Sequence, residues 1–371
     1  MEKRPQALKS FYIMAHNERN CYKCPYCILS CREDLIESNL EHSFKYDNNM
    51  PPPINTLPVS INNYFGDPFI QKEDTFKKLR ILEKAGHRGI VAIITKSGIT
   101  EEIVQRLSDT PLNLQILYSI SGTKDNFDGI SYRKKVESLE RLISTGINAN
   151  LYYRPIIAGI NDSEETISKV LEDYKAIGGK AFSYAGLMGK KSVLSLLRMN
   201  GYNIEIPNGH EKWLEDKKLM SKDKKQFLLA KAKELGLNAF MKTSCLASFT
   251  AGLDHDYNNH FYKPEQYNCD ECRMYGKCKS FKESVTEESA KAILDSHEIK
   301  YESVEKQERG ICPSIAKCSK PSAECYNLKS VFVNMGKITR GDESIIKWVS
   351  GAMVKGNIIE SPEVTLLDHL L

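Results

Sequence analysis

Four cysteines lie within eleven residues near the start of the chain, in the stretch CYKCPYCILSC. Their spacing equals the run that binds iron–sulfur clusters in bacterial ferredoxins, except that Arg32 stands where proline is usual. Thiolates two residues apart on a loop can reach one small cluster, because a turn brings their sulfur atoms together. Structural zinc is the alternative, but zinc favours two well-separated cysteine pairs. The run, formed by Cys21, Cys24, Cys27 and Cys31, therefore predicts an iron–sulfur centre.

A second group of cysteines lies in the last third of the chain. Cys269, Cys272 and Cys278 are separated by two and then five residues, and Cys245 ends a strand-like stretch from which it could supply a fourth ligand. This spacing predicts a second metal site, with iron–sulfur or zinc as its occupant.

The remaining cysteines and the nearby histidines give weaker signals. Cys312, Cys318 and Cys325 are spaced more loosely, which fits unbound thiols at least as well as a metal site. His255 and His260, in DHDYNNH, are expected to lie in a solvated loop.

The bulk composition excludes several classes of protein. With 371 residues and 41% hydrophobic content, the chain can bury a large core, and its net charge of +4 gives no global attraction to nucleic acid. No apolar run approaches the roughly 18 residues of a membrane helix, and residues 1–20 lack the apolar core of a secretory signal. We therefore expect a cytoplasmic protein, in which eleven clustered cysteines favour metal chemistry over disulfides.

Short β-rich runs alternate with amphipathic helical patterns as far as about residue 245. Predicted strands cover 11–15, 58–62, 90–95, 114–120, 149–156 and 181–185. Predicted helices cover 72–86, 131–146, 162–178 and 222–236, and two more follow at 287–296, capped by Thr286, and 343–355, capped by Asp342. This alternation predicts a parallel sheet, either open or curled into a barrel, and the stretch 246–282 is expected to be loops.

The cysteine run follows the first strand, and the carboxyl ends of strands are where β/α barrels place their chemistry. At this point the sequence resembles the radical S-adenosylmethionine (SAM) superfamily. That family carries three cysteines on the loop after the first strand, with an aromatic residue before the third. Cys24-Pro-Tyr-Cys27 matches the second half of the signature, with Tyr26 as the aromatic residue. The first half does not match. The family has a cysteine four residues before the second one, but this sequence has Asn20 at that position, and the nearest cysteine is Cys21.

Further segments match the family in order along the chain. Gly66-Asp67-Pro68 follows the second strand, where the family has a stretch whose backbone meets the methionine amino group of SAM. Thr95-Lys96 ends the third strand and resembles the spore photoproduct lyase branch, where the lysine approaches the SAM carboxylate. Ser119 ends the fourth strand, where the family has a polar side chain that meets the ribose or the carboxylate of SAM. Arg154-Pro155 ends the fifth and opens a segment closely resembling the family's arginine-proline, glycine, asparagine-aspartate segment.

The resemblance implies an α/β fold in three parts. These are a partial (β/α)6-type TIM barrel over 1–244, a cysteine-rich metal segment over 245–282, and a small C-terminal α+β module over 283–371 that could bind substrate. It also implies a [4Fe–4S] cluster with three cysteine ligands, because SAM occupies the remaining iron. The expected ligands are Cys21, Cys24 and Cys27, and the competing set is Cys24, Cys27 and Cys31.

The resemblance also implies the chemistry. One electron, from a donor such as flavodoxin or ferredoxin, cleaves SAM and leaves a 5′-deoxyadenosyl radical that takes hydrogen from a substrate. The spacing of Cys269, Cys272 and Cys278 resembles the auxiliary-cluster extensions of some radical SAM enzymes. An auxiliary [4Fe–4S] cluster is therefore expected there, with structural zinc as the alternative.

The leading hypothesis is a radical SAM enzyme that acts on a nucleic acid base, a peptide or a small metabolite. Near the C-terminus, lysines and Arg340 alternate with Tyr326, Phe332 and Trp348, a pattern that fits either nucleic-acid binding or a solvated basic face. The alternative function is a non-catalytic iron–sulfur or zinc-binding protein, since fold and cofactor do not fix a substrate.

Overall fold

The computed structural model describes residues 11–14, 22, 24–27, 54–62, 67–123, 127–204, 206, 218–260, 269, 272–297, 299–307, 330–338 and 346–358. The chain divides into two compact units. The barrel unit contains the described residues from Tyr12 to Ala251 except 54–58, and the C-terminal unit contains 54–58, the residues from Gly252 onward and Phe11, the first residue of a strand that otherwise lies in the barrel unit. The three-part division expected from the sequence stays a prediction.

The barrel unit alternates strands and helices. Its strands are β1 (Phe11–Met14), β2 (Val59–Asn62), β3 (Ile90–Thr95), β4 (Asn113–Ser119), β5 (Ala149–Ile156), β6 (Ala181–Met188), β7 (Lys218–Leu219) and β8 (Asn238–Phe240). Its helices are α1 (Lys72–Lys84), α2 (Glu101–Ser108), α3 (Tyr132–Ser144), α4 (Glu164–Ala176), α5 (Lys191–Met199), α6 (Lys222–Glu234) and α7 (Thr243–Thr250).

The sheet follows the order of the chain from β1 to β6. The pairs from β2 through β6 are parallel, as in the register of Ile93 with Ile61 on one side and with Ile116 on the other. Strand β8 adds to β6 in parallel, and β7 pairs with β6 antiparallel. These strands and the helices between them confirm the predicted α/β partial barrel, whose described strands form an open sheet.

The sequence folds this way because its strands are apolar on both faces. Strand β3 reads IVAIIT and is buried along nearly its whole length, as expected of a parallel strand with helices outside and a packed interior inside. Helix α1 turns Phe76, Leu79 and Leu82 toward the sheet. Several helices begin at a side chain that accepts a backbone hydrogen bond in the first turn: Thr100, Ser131, Ser163 and Ser221.

The C-terminal unit is a small α+β arrangement. It contains α8 (Tyr275–Ser284), α9 (Glu287–Ser296), β9 (Ser303–Gln307), β10 (Ser330–Ile338), a helical turn over 346–350 and β11 (Met353–Ile358). Strand β10 lies between the parallel β11 and the antiparallel β9. Thr286 caps α9 in a reciprocal pair with Ser289, which confirms the predicted cap.

Two predictions about the last third of the chain are wrong. The helix predicted over 343–355 ends at 350, because Gly351 adopts a φ of 66° and residues 353–355 pair with β10. The loops predicted over 246–282 contain most of α7 and most of α8. Asp342, the predicted cap, lies outside the described residues.

Gly186 on β6 supports a testable prediction about the barrel. A Cβ at this position would lie 2.0 Å from the backbone oxygen of Leu219, on the neighbouring strand β7. Gly186→Ala should therefore displace β7 and cost about 1–3 kcal/mol, measured from the midpoint of urea unfolding. Gly98→Ala is the control, since a Cβ there meets nothing within 4 Å. Equal midpoints for the two variants would contradict this account.

Candidate active site

The CPYC stretch forms a tight turn after β1. The backbone N–H of Cys27 donates to the carbonyl of Cys24 at 3.0 Å, so the two cysteines close one turn. Cys24 is buried, with 8% of its surface exposed, and Cys27 is half-buried. Cys21 and Cys31 lie outside the described residues, so the choice between them stays a prediction.

Lys96, directly after β3, meets this turn. Its Nζ lies 2.8 Å from Sγ of Cys24 and 2.8 Å from the hydroxyl of Tyr26. The same ammonium sits 5.0 Å from the centre of the Tyr26 ring. The two residues come from segments 72 positions apart, so the sheet brings together a thiol and a cation that the sequence predicted separately.

The charges of this pair support each other. Burial raises the pKa of the Cys24 thiol above its ordinary value, and the Lys96 ammonium opposes that rise. Burial alone would lower the pKa of Lys96, but Cys24 and Asp128 more than offset it, so that pKa lies above its ordinary value. Lys96 therefore stays charged, and it lessens the cost of ionising the buried Cys24 thiol.

Asp67 connects the loop after β2 to the end of β3. One carboxylate oxygen accepts from the N–H of Phe69 at 3.1 Å and from the hydroxyls of Thr95 and Ser97 at 2.6 and 2.7 Å. The other accepts from the N–H of Lys96 at 2.7 Å. Both oxygens of this buried side chain are thus engaged in holding the two loops together. Pro68 also takes part, since its carbonyl accepts from the Thr75 hydroxyl of α1 at 2.5 Å.

A buried ion pair, which the sequence analysis missed, lies beside the cysteine turn. Asp128 and Lys135 are each 2% exposed and form a direct salt bridge. Asp128 also accepts from the hydroxyl of Ser121 at 2.7 Å, and its backbone oxygen lies 3.9 Å from Sγ of Cys24. Burial alone would raise the pKa of Asp128, but Lys96 and Lys135 hold it below its ordinary value. The signal available in the sequence was an aspartate in the loop after a strand, as at Asp67.

An aromatic stack covers one side of the turn. The rings of Tyr26 and Phe127 are stacked with centroids 5.5 Å apart, and Tyr202 meets the edge of Phe127 at 4.7 Å. Burial raises the pKa of Tyr26 well above its ordinary value, with Asp128 adding to the rise. Tyr26 therefore stays a neutral hydroxyl that can hydrogen-bond to Lys96.

Ser119 and Arg154 form a separate part of the site at the ends of β4 and β5. The Ser119 hydroxyl donates to the backbone oxygen of Arg154 at 3.3 Å. The Arg154 guanidinium donates to the hydroxyls of Tyr152 and Ser183 at 2.9 and 3.1 Å and to the carbonyl of Met241 at 3.0 Å. Its charge is thereby fixed over the neighbouring strands. Gly66 lies outside the described residues.

The second cysteine group belongs mainly to the C-terminal unit. There the N–H of Cys272 donates to the carbonyl of Cys269 at 2.9 Å, and Cys269 and Cys278 are buried. Cys245 lies on α7 of the barrel unit, on a helix rather than at the end of a strand. Cys312, Cys318 and Cys325 lie outside the described residues.

The expectation that the nearby histidines lie in a solvated loop is wrong. His260 is buried, with 6% of its surface exposed, and the ring of His255 stacks on Phe281 at a centroid distance of 3.5 Å. The polar neighbourhood in the sequence gave no sign of this, because His255 meets a ring of α8 and the buried His260 pairs with the buried carboxylate of Asp256.

The chain was compared with family models, curated proteins and solved structures. No family model and no curated protein matches the sequence. Among solved structures, the chain is similar to Streptococcus suis SuiB bound to S-adenosylmethionine, with 14% identity and a TM-score of 0.37 over 62% of this chain and 49% of that one. It is also similar to SuiB bound to the precursor peptide SuiA, with 16% identity and a TM-score of 0.34 over 52% of this chain and 45% of that one. The chain therefore matches about half the length of the SuiB structures.

The site is thus defined by this chain's own residues. It is a group of thiol, ammonium and carboxylate side chains at the carboxyl ends of the strands of an α/β partial barrel. Among the described residues, no helix is long and apolar enough to span a membrane.

The buried pair of Asp128 and Lys135 makes a stability prediction. Lys135→Met removes the cation and leaves a buried carboxylate unpaired, which should cost about 3–5 kcal/mol in the free energy of unfolding. Lys134→Met, at the exposed neighbouring position of α3, is the matched control and should change stability little. Urea unfolding of the two variants measures the difference, and the ion-pair account is wrong if both unfold at the same midpoint.

Proposed function

We propose that this protein is a radical SAM enzyme. In this proposal a [4Fe–4S] cluster is held by Cys24, Cys27 and a third cysteine, Cys21, and SAM binds at the carboxyl ends of the barrel strands. The observation that carries the proposal is the contact of Lys96 with Cys24 and Tyr26, because it joins the cysteine turn to the predicted SAM-binding lysine. The spore photoproduct lyase branch is the nearest resemblance, mainly through Thr95-Lys96 and the arginine-proline segment at Arg154-Pro155.

The side chains present fit a cysteine-bound cluster. Cys24 and Cys27 close one turn, which is the local geometry that two ligands of the same small cluster need. The ammonium of Lys96 beside Cys24 offsets the negative charge that several thiolates and a bound carboxylate would bring to a buried position. When bound, the two cofactors together supply the reductive cleavage of SAM and a 5′-deoxyadenosyl radical that takes hydrogen from the substrate.

The contacts of Asp67 and Lys96 suggest different tasks for them. Because both carboxylate oxygens of Asp67 are engaged by β3 and its own loop, the part of Gly66-Asp67-Pro68 that would meet the SAM amino group is the backbone. Lys96 supplies the cation for the SAM carboxylate. Asp67 is then a positioning residue that fixes the backbone of Lys96.

Ser119 and Arg154 would complete the SAM site on the neighbouring strands. The Arg154 guanidinium is held by three acceptors, so its positive charge stays in one place and attracts the carboxylate end of an incoming ligand. The Tyr26, Phe127 and Tyr202 stack places apolar surface beside the turn, which keeps water from the reacting atoms.

The reaction would need an electron donor, such as flavodoxin or ferredoxin, and a substrate that presents a hydrogen atom to the radical. A nucleic acid base, a peptide and a small metabolite all meet that requirement. The proposal therefore commits to the SAM chemistry and to the site that performs it.

The SAM chemistry is tested by product analysis. Anaerobic protein reconstituted with iron and sulfide should release 5′-deoxyadenosine when given dithionite and SAM, and mass spectrometry measures the product. Lys96→Ala should weaken SAM binding at least tenfold, the loss expected for a buried charge pair of about 1.4 kcal/mol or more. Lys84→Ala, exposed at the end of α1, is the control and should bind SAM normally.

Two outcomes would overturn the proposal. A chain that binds iron and sulfide yet releases no 5′-deoxyadenosine is a non-catalytic iron–sulfur protein. A chain that binds zinc at Cys24 and Cys27, and no cluster, is a zinc protein.

The third ligand is tested separately by metal content. Single Cys→Ala variants at positions 21, 24, 27 and 31 are reconstituted and analysed for iron and for the absorbance of the cluster. We expect Cys24→Ala, Cys27→Ala and Cys21→Ala to lose the cluster and Cys31→Ala to keep it. If Cys21→Ala keeps the cluster and Cys31→Ala loses it, the competing ligand set is correct.

A further inference from the structure

The carboxylate of Asp128 is bonded through one of its two oxygens. Oδ2 forms the direct salt bridge with Lys135, and both side chains are buried. The Ser121 hydroxyl, which lies 2.8 Å from that of Thr123, donates to the same Oδ2 at 2.7 Å. The other oxygen, Oδ1, is buried without a hydrogen bond. The carboxylate is therefore committed to Lys135 but has an oxygen to offer to a second cation.

Lys96 lies close to the same aspartate but is bonded elsewhere. Nζ of Lys96 and the backbone oxygen of Asp128 both approach Sγ of Cys24, at 2.8 and 3.9 Å. The Lys96 ammonium also donates to the hydroxyl of Tyr26 at 2.8 Å. Among the described residues, the salt bridge of Asp128 is to Lys135, and Lys96 forms none. The two lysines thus have different partners, although both lie near one carboxylate.

Two ammonium groups and one carboxylate leave one positive charge uncancelled, and the salt bridge decides where it lies. Because Asp128 cancels Lys135, the uncancelled charge is that of Lys96, beside the cysteine turn. Without Lys135, the cation left to act on the buried carboxylate is Lys96. An unpaired carboxylate is very unfavourable in the interior, so Asp128 would then draw Lys96 toward itself. The charge at the cysteine turn would be lost.

Stability alone does not account for a lysine at position 135. The buried residues of α3 are Lys135, Ser138, Leu139 and Leu142, so the lysine opens the stripe that faces the core. A buried ion pair adds little stability compared with apolar side chains of the same size. The charge at this position is therefore expected to serve another group, and the group that it affects through Asp128 is Lys96.

We propose that Lys135 is a positioning residue of the candidate active site. By holding Asp128 in a salt bridge, it keeps the ammonium of Lys96 at the cysteine turn and available to the carboxylate of SAM. The identity of the ligand rests on the function proposed above, whereas the arrangement of the three side chains does not.

The arrangement is tested first in the metal-free protein. A crystal structure of Lys135→Met should show Nζ of Lys96 within about 4 Å of a carboxylate oxygen of Asp128, the distance of a salt bridge. Lys134→Met, at the exposed neighbouring position, is the control and should leave Lys96 on Cys24. Because Lys135→Met could fail to fold, Lys135→Gln is the second variant. It removes the charge but keeps a hydrogen-bond donor for Asp128.

The consequence for the ligand is measured as SAM affinity, by anaerobic equilibrium dialysis of the reconstituted protein. Lys135→Met and Lys135→Gln should each weaken SAM binding about tenfold, a change of the size expected when two charges in contact are uncoupled. Adding Asp128→Asn to Lys135→Met should restore the affinity, because Lys96 then has no carboxylate to pair with. Lys134→Met should bind SAM like the wild type.

The same variants separate this role from mere support of the fold. Each affinity is measured well below the midpoint of thermal unfolding of that variant, so every chain is folded. In the Asp128→Asn background, Lys135→Met should change SAM affinity by less than about twofold, since Lys135 acts through the carboxylate. A residue that only supports the fold would leave Lys96 on Cys24 and SAM affinity unchanged in Lys135→Gln.

Three results would overturn the proposal. They are Lys96 still on Cys24 in the structures of both Lys135 variants, unchanged SAM affinity in both, and an affinity that Asp128→Asn does not restore. A failure of the proposed function looks different. A wild-type protein that binds no SAM contradicts the radical SAM proposal, and the crystal structures still decide whether Lys135 holds Lys96 in place.

Discussion

The candidate active site depends on one constraint, the pairing of charges that the barrel buries at the ends of its strands. Lys96, Asp128 and Lys135 lie within the same small volume, together with the thiol of Cys24. Burying any one of these charges alone would cost much free energy of folding. Here the negative Asp128 lies between the positive Lys96 and Lys135, so the charges stabilise one another. The loops after β3 and β4 therefore adopt a joint arrangement through the charges of Lys96 and Asp128, and the loop after β1 places the Cys24 thiol against Lys96.

The two cysteine regions meet different physical demands. In the barrel unit the sheet already fixes the loops, so Cys24 and Cys27 are placed by a fold that has its own apolar core. In the C-terminal unit the core lies around α9 and its three strands, at residues such as Leu294, Val331 and Val333, whereas α8 contributes a single buried cysteine. The proposed cluster would therefore bind where the barrel already holds the ligand-bearing loop in place.

The sequence predicted the barrel well because its strands are continuous apolar runs. Strands β3 and β5 begin and end at the predicted residues, and the alternation of strand and helix indicated the parallel sheet before any contact was known. The order of the motifs also placed Lys96 at the end of β3, although not its contact with Cys24. The burial of Asp128, Lys135 and His260 could not be predicted in the same way. Asp128 pairs with Lys135 only seven residues away, but it also lies beside Lys96 and Cys24 from other strand ends, and neither period nor composition records such contacts.

Strand β6 has a further consequence for how the open barrel behaves in solution. On the side away from β5, residues Ala181–Ser183 pair with β8, and Leu187–Met188 pair with β7. Between these two short strands lies Gly186, which the backbone of Leu219 approaches closely. An open sheet normally offers its last strand to any extended chain that can add to it, which leads to aggregation. Here two short strands occupy the backbone hydrogen-bonding groups at both ends of β6, so this edge is protected against strand addition by another molecule.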